Sequence, residues 1–399
     1  MGVALEKMKD KAMRRHTFIL MALMAIAIVG CNKEDNPNNE AIGFYYSVVD
    51  YDDYSDNAIM KLYKGNQLLY ELPRSSSVIV KGNAVYAAVR EEASPFWKLY
   101  LWKNGGRLFE LPAQDVFPAG WSGGCNLCLD GENIITTCTE RIPSGEENRY
   151  YGIGKVWKNN QLLYTLELPD SARYTWPVKP LAVGNDIYVA GHFTKNNYQA
   201  AVWKNTEIVF MSEGYHWDGM YGVGFYNGSL YYYGTDGSNV HGGGQHGKIW
   251  KDGEVICDTK EKDWAYYGVI RDAIIWQGDV YAAGYIETDS GQESDEGNTG
   301  RIGAVWKNGE ILYEFAERYL PMSSYLYSGD TRSWVELNSI NIIDGDVFVS
   351  GHVYGNSSGL NVAKIWKNGV EYQGINEGIY GPGMTVTLLK NGMMYQDQF

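Results

Sequence analysis

The chain has 399 residues, 45% of them hydrophobic and 21% charged, with 32 Tyr, 13 Trp and 47 Gly. Enrichment in aromatics and glycine favours β-strands joined by many turns. The formal net charge of -14 repels phosphate backbones and argues against a nucleic-acid partner, and no basic amphipathic helix is present to lie on anionic lipid.

The first segment reads as a targeting signal. Arg14, Arg15 and His16 precede the apolar run Phe18 to Val29, which ends at Gly30-Cys31. A spanning helix takes roughly 20 apolar residues. This run is shorter, and its basic flank, apolar core and small final residues describe a secretory signal peptide over residues 1–30. Met13 is an alternative start to Met1. Ile28-Val29-Gly30-Cys31 resembles a bacterial lipobox, which implies that Cys31 is acylated and anchors the mature chain in a bilayer. Residues 31–41 form a polar tether. Within it Asn32-Lys33-Glu34-Asp35 is similar to the surface-export signal of Bacteroidota lipoproteins, although the same composition suits an ordinary solvated linker. The expected location is the outer membrane, lipid-anchored and surface-exposed, with a periplasm-facing placement as the alternative.

From residue 42 to 399 a unit recurs seven times. It begins as Leu62-Tyr63-Lys64-Gly65 and Leu101-Trp102-Lys103-Asn104-Gly105, and returns around Trp157, Trp203, Trp250, Trp306 and Trp366. Tyr63 and Trp366 are 303 residues apart, so the mean period over six intervals is about 50, within the range of propeller repeats. Asn-Gly or Asp-Gly between apolar runs signals a type I′ hairpin, whose two central residues need positive φ. A second hairpin alternates with the first, from Gly82-Asn83-Ala84-Val85-Tyr86 through Gly184-Asn185-Asp186-Ile187-Tyr188 to Asn391-Gly392-Met393-Met394-Tyr395. Two hairpins make four antiparallel strands, one blade of a propeller. The expectation is therefore an all-β, single-domain, seven-bladed β-propeller, closed by a blade shared between the N- and C-terminal ends. Fourteen hairpins supply the 28 strands required, so a further strand at Gly43 to Val49 is one too many and leaves the seam register open.

Units of the form G-x-D-V-Y-V-A-G followed by A-x-x-W-K-N-G resemble those of a broad set of Bacteroidota surface lipoproteins, over roughly residues 42–399. The resemblance implies the fold and the compartment; that family carries no assigned activity.

Both tight turns fall on one face of such a ring, and the long, variable connections fall on the other, where binding residues concentrate. Trp121, Trp176, Trp217, Trp264 and Trp334 precede the innermost strands on that long-loop face, with His216 beside Trp217. They read either as a ring for stacking sugar faces or as packing between blades. The Trp of each W-K-N-G unit reads as structural. His241 and His246 flank Gly242-Gly243-Gly244 without a third metal ligand, and read as a solvated loop. The acidic runs Asp50 to Asp56 and Glu287 to Glu296 lack the spacing of an EF-hand loop. No pair of carboxylates is singled out for glycosidase chemistry, and no phosphate loop or nucleophile elbow occurs. No metal, cofactor or catalytic residue is therefore expected.

Cys125 and Cys138 each lie six residues from the Gly131-Glu132 turn, on opposite sides of it. That makes them a non-hydrogen-bonded cross-strand pair able to accept a disulfide; parity places Cys128 on the other face. Asp170-Ser171-Ala172 resembles a Bacteroidota O-glycosylation acceptor. The leading functional expectation is a surface binding module for a glycan or glycoprotein. A protein-docking subunit of an outer-membrane complex is the alternative, followed by a polysaccharide-active enzyme.

Overall fold

In the computed structural model the described residues are 45–389, less 51–58, 66, 74, 94–95, 114–124, 144–149, 170–171, 196, 214–217, 238–244, 260–264, 289–300, 317–334, 355–360 and 375–384. Every regular element among them is a β-strand. The expected signal peptide, Cys31, the tether and Ser171 lie outside the described residues.

Strands β1 (Tyr45–Asp50), β2 (Ile59–Lys64) and β3 (Gln67–Pro73) pair with the last strand, β28 (Thr385–Leu389), in the order β28-β1-β2-β3. Next come β4 (Ser75–Lys81), β5 (Ala84–Ala93), β6 (Phe96–Lys103) and β7 (Gly106–Leu111) as a second four-stranded sheet. Strands β8 (Asn126–Asp130), β9 (Asn133–Pro143), β10 (Tyr150–Lys158), β11 (Gln161–Thr165), β12 (Tyr174–Val183), β13 (Asp186–Thr194), β14 (Tyr198–Lys204) and β15 (Glu207–Met211) form one eight-stranded sheet. Three more four-stranded sheets follow: β16 (Gly219–Tyr226), β17 (Ser229–Gly237), β18 (Gln245–Lys251) and β19 (Glu254–Asp258); β20 (Ala265–Trp276), β21 (Asp279–Thr288), β22 (Arg301–Lys307) and β23 (Glu310–Phe315); and β24 (Val335–Ile343), β25 (Asp346–Tyr354), β26 (Asn361–Lys367) and β27 (Val370–Gly374). The innermost strands β4, β8, β12, β16, β20, β24 and β28 touch in turn, and β28 touches β4, which closes a propeller arrangement.

The seven separate blades expected from the hairpin count are not what the sheets form: five blades of four antiparallel strands stand apart, and the remaining eight strands are joined. The cause is local. Gly152 of β10 pairs in parallel with Tyr174 of β12, and its N–H donates to the Arg173 carbonyl at 3.0 Å. Gly154 keeps the two strands close, since a Cβ there would meet Thr175 at 3.0 Å and Leu166 at 3.1 Å.

At the seam the candidate strand near residue 43 is formed, while the Asn391-Gly392 turn expected after the last strand lies outside the described residues. Strand β1 sits between β28 and β2, with Tyr45 opposite Leu389 and Lys64, so the chain start supplies three strands of the closing blade and the chain end supplies the innermost. The buried Ser339 hydroxyl accepts the Leu388 N–H at 2.7 Å and fixes β28 against β24.

The recurring motif is one interlocked unit. In the β22–β23 turn Asn308 and Gly309 have φ of 52° and 91°, as a type I′ hairpin demands. The Asn308 N–H donates to the Val280 carbonyl at 2.8 Å, and its side-chain Oδ1 accepts the Val280 N–H at 2.8 Å. Its Nδ2 donates to Asp279 at 2.8 Å; Lys307 pairs with the same carboxylate at 2.8 Å and lies over the Tyr281 ring at 5.2 Å. These hydrogen bonds from Lys307 and Asn308 hold the Asp279 carboxyl below its ordinary value. Asn205 with Asp186 and Asn368 with Asp346 repeat the pattern. Where the turn carries Asp252 instead of Asn, Oδ1 still accepts the Leu230 N–H at 2.7 Å, and the neighbouring position is Ser229 rather than a second acid.

Packing follows from the aromatic in front of that turn. Trp157, Trp203, Trp250, Trp306 and Trp366 are all buried, each in a cluster that mixes residues of adjacent units, so the core is a series of layers between sheets. Their structural reading holds.

Cys125 and Cys138 are both buried and share one cluster, and the Asn126–Thr137 pairing puts them opposite each other as expected. In this structure the two thiols face each other unbridged. Burial, reinforced by the hydrogen bond that the Cys125 thiol donates to Cys138, pushes the Cys125 thiol well up and disfavours the thiolate that would start oxidation. Cys128 faces the other cluster.

Asn308→Asp places two carboxylates where an amide now donates, and should lower unfolding stability by about 1–2 kcal/mol. Adding Asp279→Ser, which copies the Asp252/Ser229 pair, should recover most of the loss. Urea denaturation of the single and double variants measures both.

Candidate functional site

The inner strands share an irregularity that shapes the centre of the ring. In β12, β16, β20 and β24 the pairing with the second strand skips one residue, leaving Val178, Tyr221, Arg271 and Asn338 as the extra residue of a β-bulge. Such a bulge re-aims the side chain it carries. A glycine faces each bulge. A Cβ on Gly284 would lie 1.8 Å from the Val269 carbonyl oxygen, and Gly191, Gly234 and Gly351 make the same close approach to their own partner strands.

Those four residues line a central cavity of about 310 Å³ bounded by all seven inner strands. That volume is in the range of small-ligand pockets, about 300–1,000 Å³. Lys179, Asp272, Tyr233, Asn126 and Cys128 also face it. Arg271 is exposed to the cavity, and Lys179 and Asn338 are half-buried.

Asp272 is the buried hub of the wall. Its Oδ1 accepts the Tyr233 hydroxyl at 3.0 Å, its Oδ2 accepts the Ile340 N–H at 3.0 Å, and the Lys179 ammonium stands 3.9 Å away. Asp272 therefore ties three units together around the cavity. Behind the wall lies a second polar group. Arg301 pairs with Glu287 and Glu336, stands 4.6 Å from the Tyr285 ring centroid, and shares that ring with Arg271 at 5.6 Å. Asn338 reaches back to His352 Nδ1 at 3.3 Å. His, Tyr, Arg and two carboxylates thus converge, but Tyr285, Glu336 and His352 are buried and only Arg271 and Asn338 reach the cavity. The group braces the channel rather than presenting an open reaction centre.

Of the aromatics expected at the long-loop face, Trp121, Trp217, Trp264 and Trp334, together with His216, lie outside the described residues. Trp176 is described. It sits within β12, opposite His192, stacks on Tyr174 at 5.9 Å and lies 6.4 Å from the His192 ring. It packs, half-buried, at the strand start rather than standing free in a loop. His246, read as part of a solvated loop, is buried in β18 opposite Asp236 because the strand begins at Gln245; His241 is outside the described residues. Among the described residues no group of three His, Cys, Asp or Glu is placed to hold a metal ion.

The channel residues were missed by motif reading, yet their spacing is regular. Val178, Tyr221, Arg271 and Asn338 each lie six residues before the first residue of the next turn (Gly184, Asn227, Gln277 and Asp344). The second glycine of G-x-D-V-Y-V-A-G was the other available signal.

No family model matches the chain, and no curated protein matches its sequence. Among solved structures, the β-propeller domain of the Trilobed protease from Pyrococcus furiosus is similar, with 12% identity, 84% of this chain and 95% of that chain covered, and a TM-score of 0.46. The acylaminoacyl peptidase of Pyrococcus horikoshii gives 12% identity, coverage of 82% and 49%, and a TM-score of 0.45, so this chain spans about half that protein's length. A GH32 β-fructofuranosidase of Bombyx mori gives 10%, 80% and 87%, with a TM-score of 0.31. Similarity at this level carries no functional argument.

Burial pushes the His192 imidazole down to about 4, against about 6.5 when unfolded. Between those values the unfolded chain binds more protons, so this contribution is intact above about pH 6.5 and is lost as the pH falls toward 4. The loss should reach on the order of 3 kcal/mol. His192→Phe should flatten the corresponding part of a stability-against-pH curve measured by urea denaturation. His352, also lowered by burial, leaves a residual slope in the same direction.

Proposed function

We propose that this protein is a lipid-anchored binding module of the cell surface that takes a glycan or the glycan of a glycoprotein into its central channel, from the long-loop face. The observation that carries this reading is the channel wall, where bulges on successive inner strands put a phenol, a guanidinium and an amide into one cavity. Hydroxyl-rich ligands are held by such a mixture of donors and acceptors. In this reading the eight-stranded sheet counts as two blades linked by a single residue pair, so that the ring has seven. Anchorage rests on the lipobox-like sequence ending at Cys31, and surface exposure on Lys33-Glu34-Asp35.

The docking reading has its own support. Every outermost strand bears an exposed aliphatic side chain, among them Leu68, Leu108, Val209, Val255, Leu312 and Val370, which ring the perimeter beside unpaired strand edges. Affinity capture of the intact lipoprotein from membranes separates the two readings, because a stoichiometric protein partner retained after deglycosylation favours docking.

On a glycan microarray the mature protein should bind a defined subset of saccharides, and Asn338→Ala should weaken that binding about tenfold. Failure to bind any saccharide, or binding indifferent to changes at Tyr221, Arg271 and Asn338, would remove the channel reading.

Export would also expose Cys125 and Cys138 to thiol–disulfide oxidants, which could accept their two electrons and two protons as the sulfur–sulfur bond forms. Protein isolated from the cell envelope should then resist alkylation at both residues when unfolded without reductant. Labelling of both would show that the thiols stay free.

A further inference from the structure

We infer that the channel selects ligands bearing a carboxylate, such as the terminal residue of an acidic saccharide, with Arg271 as the specificity-determining contact. This rests on the channel reading above and narrows its ligand class.

The observations that carry it are the charge and the exposure of the cavity wall. Three charged side chains face the cavity among the described residues: Lys179, Arg271 and Asp272. Asp272 has both oxygens engaged by the wall itself, one by the Tyr233 hydroxyl and one by the Ile340 N–H. A ligand cation would compete with these bonds, whereas an anion need not disturb them. Both cations keep more access than Asp272, although Lys179 itself stands 3.9 Å from that carboxylate. Arg271 is exposed while lining the cavity, and the Lys179 side chain keeps 33% of its surface. Both come from inner strands, Lys179 from β12 just after its bulge and Arg271 from the bulge of β20 itself. Among the described residues the wall therefore carries two cations to one carboxylate, inside a chain whose net charge is -14.

Arg271 is also suited to planar recognition. Its guanidinium stands 5.6 Å from the Tyr285 ring centroid, and the same ring lies 4.6 Å from Arg301, whose charge is met by Glu287 and Glu336. An aromatic ring limits the swing of the guanidinium, and a planar fork of donors matches a carboxylate better than an ammonium does. Asn338, on the neighbouring strand, adds an amide beside it, anchored through His352. A cavity of about 310 Å³ accepts the end of a saccharide rather than its length.

The test is an array of saccharides printed in matched pairs, each uronic acid or sialic acid as the free carboxylate and as its methyl ester, together with neutral glycans. The probe is the mature protein, as wild type, Arg271→Gln and Arg271→Lys, with melting curves confirming that each variant is folded. The expected result is binding to carboxylate members only, weakened about tenfold or more by Arg271→Gln and partly kept by Arg271→Lys. Equal binding of acids and esters, or of neutral glycans with no change in Arg271→Gln, overturns the anion inference while leaving glycan binding in the channel standing. No binding to any member overturns both.

Discussion

The fold hangs on the side-chain amide in the turn of each W-K-N-G unit. A β-hairpin alone fixes two strands; the Asn308 amide fixes three, because it closes its own turn with positive φ and also holds the start of the second strand through Val280. The same residue then recruits Asp279, and Asp279 recruits Lys307, which lies over Tyr281. Each exchange takes place at the surface, where a lone ion pair contributes little. The cooperation of a turn, two backbone hydrogen bonds and a shared carboxylate makes the register of a four-stranded unit unambiguous. Once register is fixed, the aromatic ahead of the turn is delivered to the interface with the preceding unit, as Trp306 is into the layer built by Tyr231, Ile249 and Ile270.

A second constraint turns this scaffold into something with an interior. Closing a ring crowds the inner strands, and a bulge there would collide with its partner if that partner carried a side chain. Glycine removes the collision: at Gly284 and its equivalents, the space of a missing Cβ is taken by the bulged strand's carbonyl oxygen. The extra residue is thereby free of the ladder and aimed at the axis. Backbone geometry decides where Val178, Tyr221, Arg271 and Asn338 point, and the sequence at those positions decides only what chemistry arrives there.

Most of the scaffold was legible because its signals are local. Positive-φ residues in two-residue turns, a fixed period and apolar runs specify hairpins without reference to distant contacts, and Gly131-Glu132 even placed Cys125 across from Cys138 correctly. Less local features escaped. The link between β10 and β12 depends on two glycines meeting Tyr174 and Thr175, which no period announces. The seam needed the pairing of β1 with β28, strands at opposite ends of the chain. At the candidate site the tryptophans are conspicuous in the sequence as large aromatics, and the bulge residues are not. Trp176 proves to be half-buried packing against His192, whereas Arg271 and Asp272, adjacent in an unremarkable strand, take opposite roles that only the fold separates.

That separation bears on how such a ring can acquire a ligand. Asp272 and Arg271 differ by one position, yet one is locked between three units and the other is an extra residue with no ladder partner. Replacing the first disturbs the joints of the ring; replacing the second changes the wall and the contact with Tyr285. Within this one chain the motif residues repeat with few substitutions, while the bulge position holds an aliphatic, a phenol, a guanidinium and an amide in successive units. A position that the backbone holds in place but that strand pairing does not constrain is where side-chain identity can follow the ligand. The positive charge that Arg271 brings to the channel of an acidic protein is best understood in those terms.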